Sequence, residues 1–223
     1  AGLKISELET NSGITAKIPR FKDYLALIGS RLIRNMATLG GNLVNASPIG
    51  DLSIIFLAFD ASVHIKSANH SRKIKLREFF KAYKQFDLDK DEYIDSIEFD
   101  FNKKEALFNF EKVSKRKYLD IASVNSAITI KSINNSISDI HISVGGVAPV
   151  PLYLKKTCAW LTGRQLSVDN LREAAGILLS EISPIDDVRG SAAYKSILAK
   201  QLFFAHFIEL FPGKFEEGLF PNT

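Results

Sequence analysis

The chain has 223 residues, 46% hydrophobic and 24% charged, with 29 Lys and Arg against 25 Asp and Glu. That composition suits one large or two small folded domains and excludes disorder as the main state, while no apolar run reaches the length of a membrane span. The charge excess is too small and scattered for a nucleic-acid surface, and the lone Cys158 excludes an internal disulfide and a cluster needing about four thiolates.

In chain order, residues 3–9 read as a strand end running into a short helix. Pro19 opens a helix through Phe21, Tyr24, Leu25 and Ile28, spaced as an amphipathic helix requires, and Gly29 ends it. Residues 30–51 then collect small and hydrogen-bonding side chains between two apolar runs. Gly40 and Gly41 permit a sharp turn and close backbone approach. Thr38, Asn42, Asn45 and Ser47 add donors and acceptors near the main chain. Asp51 is placed to cap a buried helix over 52–58. By composition this segment is either a tight turn with an Asx cap or backbone laid against a cofactor. Strands are expected at 60–66 and 72–76 around a turn at 68–71, then a helix at 77–83 and strands at 93–101 and 107–113. The runs 121–130 and 138–144 make a long hairpin about Asn134-Asn135. Residues 145–151 leave the sheet, and 152–161, 168–179 and 191–210 read as three helices. The fold class is therefore α+β, a mixed sheet with helices followed by a small antiparallel sheet with a helix cluster. The boundary is placed near Asn102-Lys103-Lys104, giving domains 1–103 and 104–223.

Several chemical signals compete with that reading. Asp87, Asp89, Asp91, Asp95 and Glu98 fall at positions 1, 3, 5, 9 and 12 of an EF-hand loop, with Ile94 at its apolar position 8. Glu92, however, occupies the position where the loop bends at glycine, and a turn entering a strand explains the same residues. His64, His70, His141 and His206 lack metal-ligand spacing and are read as structural. No nucleophile-elbow serine or Cys–His signature appears. Gly145-Gly146 runs into Pro149 and Pro151 and is read as a corner between strand and helix.

The stretch Ile33-Arg34-Asn35-Met36-Ala37-Thr38-Leu39-Gly40-Gly41-Asn42, with Asn45-Ala46-Ser47-Pro48-Ile49-Gly50-Asp51, resembles the second flavin-binding segment of the molybdenum hydroxylase flavoproteins, xanthine dehydrogenase above all. Lys112, Arg116 and Asp120-Ile121-Ala122 resemble the opening of that family's C-terminal domain, and residues 183–195 its final helix and lead-in. The resemblance implies FAD contacts at Ile33, Ala37, Thr38, Gly40, Gly41, Asn42, Asn45, Ser47, Asp51, Ile94 and Lys112, and no catalytic or metal-ligating residue. It implies charge near the cofactor from Lys112 and a tie between the two domains from Asp120. The family's glycine-rich phosphate loop has no counterpart here, so the chain is expected to begin after it and to hold only part of the FAD site. Molybdopterin and [2Fe-2S] clusters are expected on other domains or chains, NAD as electron acceptor, an oligomeric assembly and a cytoplasmic location, with no nucleic acid or membrane as partner. A sibling enzyme oxidising aldehydes or carbon monoxide, a docking fragment without flavin, and a calcium-binding module are the alternatives.

Overall fold

The computed structural model describes residues 1–100 and 106–216. The expected strand end at Phe101 and the boundary at Asn102-Lys103-Lys104 lie outside the described residues. The chain opens with short helices α1 (Ile5–Leu8), α2 (Ser12–Thr15) and α3 (Phe21–Ala26). Segment 30–51 then folds as two helices rather than a glycine turn, α4 (Arg31–Met36) and α5 (Leu39–Val44). The reason is local: Ser30 Oγ accepts from Ile33 N and Thr38 Oγ1 from Gly41 N, so each serves as an N-cap. Neither Gly40 nor Gly41 takes a positive φ. Helix α6 (Asp51–Ala58) follows, with every residue from Leu52 to Ala58 buried.

Strands β1 (Ser62–Lys66), β2 (Ser71–Lys75) and β5 (Tyr93–Glu98) form a sheet in the order β2-β1-β5. Both of its ladders are antiparallel, where a mixed sheet was expected. The only helix between these strands is α7 (Leu76–Phe79), too short to serve as a crossover to a parallel partner. The helix expected at 77–83 stops at Phe79, and the chain continues as the hairpin β3 (Phe80–Ala82) and β4 (Gln85–Phe86). Buried Phe79 stacks on Phe86 with ring centroids 5.6 Å apart, which pulls β4 back onto the core.

The second half pairs β6 (Leu107–Val113), β7 (Val124–Ile133), β8 (Ser136–Gly145) and β9 (Leu152–Tyr153) antiparallel in that order. Asn134 and Asn135 both adopt positive φ, as the tight hairpin between β7 and β8 requires. Helices α8 (Lys155–Leu161), α9 (Val168–Glu181) and α10 (Ala192–Leu210) cover this sheet. The first half's core reaches across to Phe108, Phe110 and Ala127 of this sheet. A buried chain of hydrogen bonds runs between the halves, from Tyr24 through Asn109, His206, Ser126 and Ser143 to the carbonyl of Ile54. No helix among the described residues is long and apolar enough to cross a membrane.

Candidate cofactor site

Helices α4 and α5 present one side to solvent. Leu32 and Met36 are 77% and 82% exposed, Ile33 is exposed beside them, and Gly41 is exposed in the first turn of α5. A Cβ added to Gly41 would meet only Thr38 Oγ1, at 3.0 Å, so the backbone there is open to close approach by a flat group. Gly40 is different, because its Cβ would lie 2.9 Å from that of Ala1 and its role is internal packing. The amides at the start of α5 are all taken: Leu39 N donates to Leu3 O, Gly40 N to Ala1 O and Gly41 N to Thr38 Oγ1. The first three amides of this helix are therefore not free for a phosphate, and what the helix start offers is the exposed backbone of Gly41 next to Thr38. Ala37 is half-buried and its carbonyl accepts from Ile5 N. Arg34, in the middle of the same motif, turns inward to Glu9 and to the carbonyls of Ile28 and Gly29.

At the other end of α5, Asn45 accepts from Lys84 Nζ through both its carbonyl (2.6 Å) and Oδ1 (3.1 Å). Asn42 Oδ1 accepts from Ser53 Oγ at 3.4 Å. Ile94 is half-buried in β5 against the first core. Its neighbour Asp95 accepts from the Ala1 amine, and Ala1 O accepts from Gly40 N, so one residue links the Ile94 strand to α5.

Asp51 and Lys112 come together although 61 positions apart, with Lys112 Nζ 2.8 Å from Asp51 Oδ2. The expected cap by Asp51 is not formed: Gly50 is the N-cap of α6, and the Asp51 carboxylate turns instead to Lys112 and to Asn125 Nδ2, 2.6 Å from Oδ1. Lys112 also donates to Leu27 O. Burial pushes the Asp51 carboxyl above its usual range, and Lys112 and Asn125 pull against that. The pair is a nearly closed ion pair between the halves, so Lys112 brings its own counter-charge. Asp120, assigned the tie between domains by resemblance, accepts locally from Arg116 N and Ile121 N in an exposed turn. The ties are made instead by Lys112–Asp51, Asn125, Tyr24–Asn109 and Ser143–Ile54.

Beside Ser47 and Ile49 lies an open cavity of about 630 Å³, bounded also by Tyr83, Lys84, Ile121 and Arg189. Lys195, which the apolar helix pattern hid, is buried against it and holds Ile185 O and Asp187. Three of the five acids of the EF-hand spacing pair with separate cations. Asp87 pairs with Arg72 and Lys81, Asp95 with Lys66, and Glu98 with His64 and Lys73. Glu92, its side chain fully covered, accepts from Arg72, His70 and the amide of Asp89, and Arg72 holds it well below the usual carboxylate range. Among the described residues no group of His, Cys, Asp and Glu could hold a metal ion. Cys158 is buried, its thiol pushed up to about 12, which leaves it inert as a nucleophile.

Two family models match the chain: the FAD binding domain in molybdopterin dehydrogenase over residues 1–99, and the CO dehydrogenase flavoprotein C-terminal domain over 110–210. The chain is 30% identical to the glyceraldehyde dehydrogenase medium chain of Sulfolobus acidocaldarius, covering 92% of this chain and 72% of that one. It is also 30% identical to xanthine dehydrogenase 1 of Arabidopsis thaliana over 87% of its own length, but spans only 15% of that protein. Carbon monoxide dehydrogenase from Hydrogenophaga pseudoflava superposes with a TM-score of 0.85 at 23% identity, covering 90% of this chain and 70% of the other. The enzyme from Oligotropha carboxidovorans gives 0.86 at 21% identity, with 95% and 73% covered. These last two establish the shared fold. With the flavin-domain model over its first half and a medium chain matched along nearly its whole length, the chain belongs to the molybdenum hydroxylase flavoproteins, as an FAD-binding part of those oxidoreductases.

Proposed function

We propose that this chain holds the isoalloxazine end of FAD within a xanthine dehydrogenase-like enzyme and passes electrons, received from [2Fe-2S] clusters on a partner, to NAD. The observation that carries this reading is the exposed backbone at Gly41, where an added Cβ would meet only Thr38 Oγ1, in the same segment whose Ser47–Ile49 end borders an open cavity with room for an acceptor. FAD when bound supplies the hydride and electron chemistry. The chain's own residues bind and orient it. Ile33, Ala37 and Gly41 give the flat contact, Thr38, Asn42, Asn45 and Ser47 the polar edge, Ile94 apolar packing, and Asp51 with Lys112 a fixed pair behind the segment. Since the first three amides of α5 are taken, the pyrophosphate is held by residues other than these. Residues 1–103 and 104–223 are the two units of this arrangement, and molybdopterin lies on a further chain or domain. The buried free thiol suits a cytoplasmic setting.

A second reading has the match to a glyceraldehyde dehydrogenase medium chain in its favour, namely a separate flavoprotein subunit of an aldehyde-oxidising enzyme. The test is anaerobic bleaching of the flavin absorption in the intact protein and its assembly. Bleaching by xanthine and by NADH supports the first reading, and bleaching by aldehydes alone supports the second. Gly41→Val should empty the flavin bands with far-UV circular dichroism and melting read alongside, since its Cβ presses on the Thr38 cap, and full occupancy in that variant would overturn the placement of the cofactor.

A further inference from the structure

We propose that Asn125 is the positioning residue of the flavin site, orienting Asp51 and the 47–51 turn from the second-half sheet, and that position 145 is glycine to make room for it. The inference rests on the flavin reading above. Asn125 is fully buried in β7 on the face that also carries Ala127, where a side-chain amide must find polar partners. Its Nδ2 donates to Asp51 Oδ1 at 2.6 Å and to Ile49 O at 3.3 Å. Among the described residues its Oδ1 meets no donor. The amide cannot be turned to relieve that orphan, since the reverse orientation would set two acceptors against each other at the Asp51 contact. A buried acceptor is thus left unsatisfied so that one donor can be aimed at one carboxylate, which is a poor arrangement for stability alone.

The consequence is geometric. Lys112 fixes Asp51 Oδ2 and Asn125 fixes Oδ1, so both ends of the carboxylate are held. Gly146 N donates to Pro48 O at 3.0 Å, completing three anchors on the turn that borders the cavity. The orphan Oδ1 lies against Gly145, where any Cβ would sit 2.1 Å from it. Gly145 therefore cannot gain a side chain while Asn125 holds this position, and Pro48 O at 3.0 Å and Ile54 Cγ1 at 3.1 Å would crowd that side chain to a lesser degree.

The experiment compares the intact protein with Asn125→Ala and Asn125→Asp, titrating FAD by fluorescence quenching and recording the visible circular dichroism of the bound flavin. Both variants should release FAD at least about ten-fold more readily. The dichroism should change even at saturation, which a general loss of stability would not produce, and the added carboxylate facing Asp51 should make Asn125→Asp the weaker binder. The steric half is read by melting, whether or not FAD is bound: Gly145→Ala should cost much less in the Asn125→Ala background than alone. Wild-type protein that takes up no FAD overturns the flavin reading and this inference with it. Wild-type binding with unchanged affinity and dichroism in both variants overturns only the inference, and equal cost of Gly145→Ala in both backgrounds overturns the pairing.

Discussion

Replacing Lys112 with Met removes the ammonium and keeps most of the side chain's length. The amine lies 2.8 Å from Asp51 Oδ2 and 2.9 Å from Leu27 O, and the two side chains are 4% and 11% exposed. At that separation and an effective dielectric near 20, the attraction is about 6 kcal/mol. Much of it is offset by the cost of taking both ions out of water, so the decisive quantity is what remains after the change. A buried carboxylate would keep one amide donor, and a buried carbonyl would lose its partner. Breaking a buried pair from one side costs about 3–5 kcal/mol. For a chain of this size that lowers Tm by roughly 10 °C. Asp51 can escape by taking a proton, because burial already raises its pKa and losing Lys112 raises it further. A carboxyl whose folded pKa lies above its unfolded value contributes stability that is greatest in acid and lost as pH rises through the folded pKa. Wild type and variant should therefore differ most at neutral pH, with the gap in Tm narrowing as pH falls toward about 4. Thermal melts across that range check it. A gap that ignores pH, or one below about 1 kcal/mol at neutral pH, would show that the pair behaves as an exposed salt bridge and refute the argument.

His206 is fully buried with a pKa lowered to about 3 by desolvation, its Nδ1 accepting from Asn109 and its Nε2 bonded to Ser126. Its contribution to stability is present above the unfolded value near 6.5 and is lost as pH falls toward about 3, with a slope of up to about 1.4 kcal/mol per pH unit. Histidine ring shifts in NMR should show no titration of this side chain above about pH 4.5, and a midpoint near 6 would contradict the buried network. Gly146→Ala should destabilise by at least about 2 kcal/mol, because φ there is +83° and a Cβ would sit 2.4 Å from Ser123 O. The urea midpoint reads this, and an unchanged value would mean the turn can shift away from the second-half sheet.

Much of the fold was legible because its strands obey a period of two. The 107–113 strand appears with the expected bounds, and the Asn134-Asn135 hairpin and the last two helices appear where alternation and helical spacing placed them, whereas the helix expected from 152 begins only at Lys155 because Leu152 and Tyr153 pair with β8 as β9. The first half was harder for a physical reason. Its helices α4 and α5 are six residues long and held by capping hydroxyls, so they carry too few turns to show a periodic face. Phe79 and Phe80 fit a helix by composition, and only their stacking and edge contacts with each other and Phe86 turn the chain into a hairpin. The candidate cofactor segment stood out by motif, but its geometry did not, because the partners of Asp51 come from positions 112 and 125. Asn125 did leave a signal, as an amide in the middle of an apolar strand that must find a polar partner.

The closed pair of Asp51 and Lys112 also changes where positive charge stands along the candidate cofactor segment. Lys112 is matched by a carboxylate at bonding distance, so its field at any distance beyond the pair is that of a dipole. Lys195 is matched in the same way by Asp187. Lys84 is not: it donates to the two oxygens of Asn45 and, among the described residues, meets no carboxylate. It sits at the tip of the β3–β4 hairpin with φ of +58°, a backbone state that side chains other than glycine adopt only when their surroundings hold them there. The bonds to Asn45 are such a constraint, and they tie the hairpin to the end of α5. Lys84, placed by a strained turn against residue 45 of the segment, borders the cavity with Ser47, and Arg189 borders it as well. On the flavin reading proposed above, Lys84 would add to the part that resemblance gives Lys112, and sequence spacing alone does not connect it to the segment.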